Sequence, residues 1–349
     1  MDAKEIEAGF RDIVREFGAY TTQNMRLAED LYTVNNKVNY DHFKVHRIKQ
    51  IVADRGLLRP GVRLLDIASL HSMYAIEFAL EEMEVISIEG RKANLEKGRF
   101  AASALGAKTI TFHQDDVNNI HPDKYGRFDV VLCMGILYHI AKNQYVDFLR
   151  NVAASCSDTL IIDTFISLHD EECVESNGVQ YPGATWREFE EDVSEADRDK
   201  SVHSALNHNL SFAMTKPALL SFLGTLGFTT VAEVHVPMQP GQPEDRPTLV
   251  CQKGNPLSLR VFPEFNYRRD FDTAADTRGI QGRNVVFWNL PRKPAVEPQQ
   301  EHIVATVAPP KPFAPESVFG HAVANLLRRV LPEKWIQRIR RMIRGGTNR

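Results

Sequence analysis

The 349 residues hold only four cysteines, Cys133, Cys156, Cys173 and Cys251, with no C-x-x-C pair and none near a histidine at zinc spacing. A disulfide scaffold and a zinc module are thereby excluded, and a reducing compartment is favoured. No apolar run reaches the roughly 18 residues of a spanning helix. The first residues, MDAKEIEAGFRDIV, are acidic and amphipathic rather than basic and then apolar, so a cytoplasmic protein is expected. A net charge of -3 singles out no nucleic-acid or membrane partner, and there is no internal repeat. His42 and His46 stand four apart on an expected helix, but no acidic or thiol residue lies nearby in sequence, so no metal is expected. The most consequential absence is local. The loop Ala68-Ser69-Leu70-His71-Ser72, between a strand and a helix, contains no glycine.

That loop sits inside the stretch that organises the chain. Residues 62–89, VRLLDIASLHSMYAIEFALEEMEVISIE, spell strand, turn, helix and strand. Val62, Leu64, Leu65 and Ile67 suit a strand buried on both faces, with Asp66 near its carboxyl end. Tyr74, Ile76, Phe78, Ala79 and Leu80 give the helix its apolar positions, Ser72 is the expected N-cap, and Glu77, Glu81 and Glu82 are expected in water. The second strand ends at Glu89, about 20 positions beyond the turn, where a carboxylate can accept both hydroxyl hydrogens of a ribose. Without glycine the turn argues against a pyrophosphate ligand, which needs several backbone N–H groups at close range. Any of these residues held at positive φ costs about 1–2 kcal/mol.

In chain order, residues 1–58 read as an N-terminal helical lid, with Ile6, Phe10, Ile13, Val14 and Phe17 on one helical face. Residues 59–254 read as the main α/β domain. Its third strand, expected over 109–113, leads to Asp116 and Val117, where an acidic group can accept from the exocyclic amine of a purine. A fourth strand over 128–134 ends at Met134 and Gly135, followed by Ile136-Leu137-Tyr138-His139, and a fifth is expected over 159–165. Buried strands alternating with helices predict a doubly wound, mostly parallel sheet. Residues 166–214, rich in carboxylates such as Glu188, read as an inserted cap over the crevice, or as a solvated loop. The last two strands are expected as an antiparallel hairpin.

Together, Glu89, Asp116 and the GILYH stretch make residues 62–254 resemble the class I S-adenosylmethionine-dependent methyltransferases, a Rossmann-like family with a seven-strand sheet. VVLCMGILYHI, YPGATW and SFAMTKPALLSFLGTLGF resemble in particular the branch with the tRNA wobble-uridine carboxymethyltransferase and uncharacterised bacterial relatives. The resemblance implies S-adenosylmethionine as cofactor. Asp66, Ala68, Ser69 and His71 would hold its methionine end, Glu89 its ribose, and Asp116 and Val117 its adenine, with Gly90 and Arg91 also expected to bind the cofactor. Met134, Gly135, Tyr138 and His139 would face the methyl group, with His139 and Tyr138 as the catalytic pair. The family's Asp-x-Gly-x-Gly-x-Gly motif is departed from at every glycine. Ile140 and Ala141 replace the arginines of the wobble-uridine enzyme, so a carboxylated cofactor is not implied. The implied activity is methyl transfer to a small-molecule, glycan-like or lipid-linked acceptor, with tRNA methylation and a non-catalytic binding protein as alternatives.

Beyond an irregular extension at 255–290, residues 291–316 form a proline-rich linker. In 317–349, apolar residues including Trp335 and Ile339 recur at helical spacing beside eight arginines and lysines. Such a basic amphipathic helix suits an anionic membrane surface, a docking or oligomerisation face, or, less well, RNA.

Overall fold

The computed structural model describes residues 1–35, 40–235 and 243–254. The expected extension, linker and basic helical tail lie outside the described residues. In chain order the elements are α1 (Ala3–Phe17), α2 (Tyr40–Asp54), β1 (Arg63–Ile67), α3 (Met73–Ala79), β2 (Glu84–Glu89), α4 (Lys92–Leu105) and β3 (Ile110–Gln114). There follow α5 (Pro122–Tyr125), β4 (Phe128–Met134), α6 (Tyr145–Ser155), β5 (Cys156–Asp163), β6 (Glu172–Ser176), β7 (Val179–Arg187) and α7 (Glu195–Lys200). The domain closes with β8 (Leu210–Met214), α8 (Lys216–Thr225), β9 (Phe228–Glu233) and β10 (Thr248–Lys253).

The main sheet has seven strands in the order β3-β2-β1-β4-β5-β10-β9. β1 pairs in parallel with both β2 and β4, so the order reverses between β1 and β4 and opens a crevice above their carboxyl ends. β10 runs antiparallel to β5 and to β9, as the expected hairpin requires. Alternation along the strands feeds two cores. Leu65, Ile67, Val131, Cys133, Leu160 and Ile162 pack with α6 and α8, whereas Leu64, Val85, Val130, Leu132 and Ile161 pack on the other face with α3. Burial on both faces is why these strands read as continuous apolar runs.

The N-terminal segment divides in use. Ile48 and Val52 of α2 enter the second core, so α2 is part of the layer under the sheet. α1, started by a capping box between Asp2 and Glu5, lies on α4, where a Cβ at Gly9 would stand 2.6 Å from the Phe100 ring. The stretch between α1 and α2 reaches the crevice through Thr21, Gln23 and Asn35.

Residues 166–214 differ from a solvated loop. They form a three-stranded antiparallel sheet, β6-β7-β8, with α7 in the connection. Pro182 and Gly183 lie inside β7, and a Cβ at Gly183 would collide with the Ala213 carbonyl oxygen. Glycine therefore marks a close approach of two backbones rather than a bend. Edge contacts from Tyr145 to Phe212 (5.3 Å) and from Tyr181 to Phe222 (4.9 Å) anchor this small sheet to α6 and α8.

Candidate active site

The β1–α3 turn adopts the backbone its sequence disfavours. Ala68, Leu70 and Ser72 lie at φ 53°, 55° and 62°. The turn is held from several sides. Gln23 gives its amide to the Ser69 carbonyl (3.1 Å) and takes the Met73 N–H (3.0 Å), bridging loop and helix start. The hydroxyls of Ser69, Ser72 and Ser87 form a closed cluster at 2.7–3.0 Å. Ser72 therefore occupies the N-cap position without capping: its side chain is committed to the serine cluster and Gln23 serves the helix end instead.

Three residues expected at the cofactor tail turn inward. Asp66 is fully buried, with Oδ2 lacking a hydrogen-bond partner. Burial pushes its carboxyl up to about 8, against a hydrogen bond from Ala75 and with a push from Glu89. Ser69 is buried in the serine cluster. His71 has no exposed surface; its ring meets Tyr20 edge-on at 4.9 Å. Burial, helped by Lys97, lowers it to about 3. Of the expected set on this turn, Ala68 alone lines the cavity, joined by Leu70. Side chains at 66, 69 and 71 are buried, whereas those at 68 and 70, both at positive φ, line the cavity.

The cavity itself is about 540 Å³, within the usual range for small-ligand sites. At one end stand Glu89, Gly90, Arg91, Asp116 and Val117. Glu89 accepts from Leu70 N–H through Oε2 (2.9 Å), and from Arg91 N–H (2.9 Å) and Asn94 Nδ2 (3.3 Å) through Oε1. Its carboxylate thus organises the turn as well as facing the cavity. Burial still leaves its pKa raised, with those hydrogen bonds opposing. Arg91 departs from expectation: its guanidinium donates to the carbonyls of Arg198, Asp199 and Ser204 at 3.0–3.1 Å, pinning the inserted segment over the crevice. Asp116 caps a short 3-10 turn through Asn118 N–H (2.9 Å) and takes Asn207 Nδ2 from the insertion (2.6 Å).

At the other end Met134, Gly135, Tyr138 and His139 line the cavity. His139 Nδ1 lies 2.6 Å from Glu188 Oε1, both largely buried. Burial alone would raise Glu188, but its bonds with His139, Ser211 and Trp186 hold it below the usual carboxylate range. Trp186 Nε1 donates to the same Oε1 at 3.2 Å, and Ala205 N–H to Oε2 at 3.3 Å. Tyr138 packs against His139 and Trp186, with ring centroids at 4.2 and 5.7 Å. Beneath them, Asp163 at the tip of β5 receives Lys44 Nζ (2.9 Å) and Arg246 Nε (2.7 Å) on Oδ1, and Thr248 Oγ1 (3.1 Å) on Oδ2. Burial opposes ionisation of Asp163; the two cations overcome it and keep the pKa low.

The sequence-predicted residues Ala68, Glu89, Gly90, Arg91, Asp116, Val117, Met134, Gly135, Tyr138 and His139 come together around one cavity; Asp66, Ser69 and His71 do not. Sequence reasoning missed Gln23, Lys44, Asp163, Glu188 and Arg246. Asp163 alone carried a signal, an acidic residue at the end of a buried strand.

Residues 58–168 match a family model described as a methyltransferase domain. No curated protein matches. Among solved structures, the N-terminal domain of EvdMO1, crystallised in the presence of SAH and D-fucose, is 18% identical; the match covers 73% of this chain and 98% of that one, with a TM-score of 0.56. The same domain with SAH bound gives the same figures. Magnesium protoporphyrin IX methyltransferase from Synechocystis PCC 6803 with bound SAM is 14% identical, covering 73% and 98%, with a TM-score of 0.43. By its sheet order the chain has the Rossmann-like fold on which the class I S-adenosylmethionine-dependent methyltransferases are built, and residues 58–168 within it are similar to a methyltransferase domain.

Proposed function

We propose that the protein transfers a methyl group from S-adenosylmethionine to a hydroxyl of a small-molecule acceptor. The observation that carries this reading is the His139–Glu188 pair at 2.6 Å, placed on the same cavity as Glu89 and Asp116. A cofactor of this shape fits. Gly90 and Gly135 leave open the places where side chains would intrude: a Cβ at Gly90 would stand 2.9 Å from Leu206 Cδ2, and one at Gly135 3.2 Å from Arg246 Nη2. Glu89 would hold the ribose, Asp116 and Val117 the adenine, and Ala68 and Leu70 of the turn the methionine end. When bound, S-adenosylmethionine would supply an activated methyl on a sulfonium, with S-adenosylhomocysteine as the leaving thioether.

Such a displacement needs alignment first, and a base only where the nucleophile must lose a proton. His139 takes that proton. With Nδ1–H given to the ionised Glu188, Nε2 is the accepting nitrogen, and the carboxylate stabilises the imidazolium that results. Tyr138, packed between His139 and Trp186, fixes the imidazole plane. The inserted segment, held by Arg91, covers the crevice and excludes water. The EvdMO1 domain, crystallised with SAH and D-fucose, supports a sugar-like acceptor. The ordered β6-β7-β8 insertion carrying YPGATW supports a second reading, tRNA methylation, within the wobble-uridine branch.

Calorimetric titration with S-adenosylmethionine and labelled-methyl transfer into monosaccharides and bulk tRNA test these readings. Binding is expected, with label entering the sugars and a loss of about 10²-fold or more in His139→Ala. No heat and no thermal shift at millimolar cofactor removes the enzyme reading. Binding without transfer to either acceptor leaves a non-catalytic binding protein.

A further inference from the structure

The amino-acid end of S-adenosylmethionine carries a carboxylate, which is costly to take out of water unless hydrogen-bond donors meet it. The β1–α3 turn has few left to give. The N–H groups of Ser69, Leu70 and Ser72 are bonded to the Ile88 carbonyl (3.0 Å), the Glu89 carboxylate (2.9 Å) and the Ser69 carbonyl (2.8 Å), and that of Met73 is bonded to Gln23. Its polar side chains do not help. Ser69, His71 and Ser72 are buried, while Ala68 and Leu70, which line the cavity, are apolar. Lys44 and Arg246 line the same cavity but reach Asp163 at the tip of β5, and in the sheet β4 stands between β5 and β1.

The segment between α1 and α2 stands beside the turn and has donors to offer. Tyr20 meets the His71 ring edge-on and Gln23 binds the Ser69 carbonyl, so these two residues bracket Thr21 and Thr22 against the turn. Thr21, Thr22 and Gln23 all line the cavity. The Thr21 hydroxyl is buried and has no hydrogen-bond partner among the described residues. Gln23 is only 6% exposed, and its amide has one orientation: Oε1 takes the Met73 N–H, so Nε2 is the atom on Ser69. An amide nitrogen carries two hydrogens, and the Ser69 carbonyl uses one of them. The segment is tied down on both sides. Tyr20 Oη donates to the Lys97 carbonyl (2.8 Å), Lys97 Nζ to the Ala19 carbonyl (2.9 Å) and Thr33 Oγ1 to the Gln23 carbonyl (3.0 Å). Donors already fixed in place cost little to order when a ligand arrives.

We propose that this segment is the binding element for the amino-acid end of the cofactor, with Gln23 Nε2–H and the Thr21 hydroxyl donating to its carboxylate. The assignment rests on the methyl-transfer reading and adds to its site two residues that precede the sheet in sequence. It accounts for the unpaired Thr21 hydroxyl, which the carboxylate satisfies on entry. It also explains how a turn whose N–H groups are spent can serve this cofactor: Ala68 and Leu70 pack on the aliphatic part of the amino-acid end, and Gln23, bonded to the same turn, meets the charge beyond it.

Calorimetry on the full-length chain with three ligands tests the proposal: S-adenosylmethionine, its decarboxylated form, which keeps the ammonium, and 5′-methylthioadenosine, which lacks the whole amino-acid end. Thr21→Val removes a hydroxyl that bonds nothing within the fold, so folding is not at stake. It should weaken S-adenosylmethionine about threefold or more while moving the other two ligands less than about twofold. Gln23→Glu keeps the acceptor for the Met73 N–H and sets a carboxylate against that of the ligand. Affinity for S-adenosylmethionine should then fall about tenfold or more, with the decarboxylated form bound as well as before or more tightly. Equal losses on all three ligands in Gln23→Glu, with Thr21→Val silent, would overturn the proposal, because the segment would then only prop the turn. Wild-type affinity ratios in both variants overturn it as well. Should the wild type bind none of the three, the methyl-transfer reading falls and the assignment with it, whereas binding with unmoved ratios removes the assignment alone.

Discussion

The strain in the β1–α3 turn gives the sharpest quantitative test, through Ala68→Gly. Ala68 sits at φ 53°, where a Cβ costs about 1–2 kcal/mol. Glycine removes that cost. Against the gain stand the greater freedom of glycine in the unfolded chain, about 0.4–1 kcal/mol, and the loss of a half-buried methyl, roughly half of the ~0.8 kcal/mol of a fully buried group. The net is a stabilisation of about 0.5 kcal/mol, or a Tm rise of about 1–2 °C for a domain of this size. Ala8→Gly is the control, on the exposed face of α1. There the same change should cost about 1 kcal/mol and lower Tm by about 2–4 °C. The opposite signs are the prediction, read by calorimetric melting and by urea denaturation. A fall of similar size in both variants would refute the strain. Ala68→Val sharpens the test from the other side, because a β-branched residue tolerates positive φ least, and its Tm should fall below wild type.

Three further outcomes follow from the same geometry. Glu89→Gln should weaken binding of S-adenosylmethionine at least tenfold, because charge-assisted hydrogen bonds worth about 1.5–3 kcal/mol each are lost; unchanged affinity in a folded variant would place the ribose elsewhere. Asp66 keeps its proton in the folded state up to about pH 8, whereas its ordinary value is 3.8. The stability this contributes is complete below pH ~4 and is lost as pH rises toward 8. Asp66→Asn abolishes that loss, so its unfolding free energy relative to wild type should improve steadily over this window; a pH-independent difference would show Asp66 to be ionised. Finally, removing residues 317–349 should abolish co-sedimentation with anionic liposomes if that basic stretch binds a membrane surface, at about 1 kcal/mol per lysine or arginine near the bilayer. Equal sedimentation of the two chains sinks that reading.

What the sequence made legible follows from what is local. β1, β2 and β4 are buried on both faces and so read as short apolar runs; Glu89 could be placed in the crevice from its strand end, whereas Met134 and Gly135 were placed there through the family resemblance. β6, β7 and β8 were hidden because proline and glycine at 182 and 183 are poor strand residues and because the connection through α7 is dense in carboxylates. The site residues that escaped are those defined by distant partners. Lys44 meets Asp163 across 119 positions, Arg246 meets it across 83, and Glu188 reaches His139 across 49. No periodicity or spacing encodes such pairs. His71 misled for a related reason: a histidine beside a ligand loop and a histidine packed on Tyr20 look alike until the neighbouring layer is in place.

The glycine-less turn shows how a chain keeps a conformation that its residues resist. A left-handed residue persists only where its surroundings leave no alternative, and here the surroundings are specific. Glu89 fixes Leu70 through its N–H, the Ser69 N–H binds the Ile88 carbonyl at 3.0 Å, and Gln23 ties the Ser69 carbonyl to the first turn of α3. Ser72 is locked by two serine hydroxyls, and α4 closes over it at Gly98, where a Cβ would stand 2.7 Å from Ser72 Oγ. Leu70 and Ser72 are thus held by hydrogen bonds from other elements, and Ala68 packs against the first core. The geometry that glycine permits at no steric cost is imposed by tertiary structure, with side chains gained at the cavity wall in exchange. Leu70 lines the cavity where a glycine would leave bare backbone. The strain and the shape of the cavity at its methionine end therefore have one cause, and replacing the strained residues by glycine should relax both together.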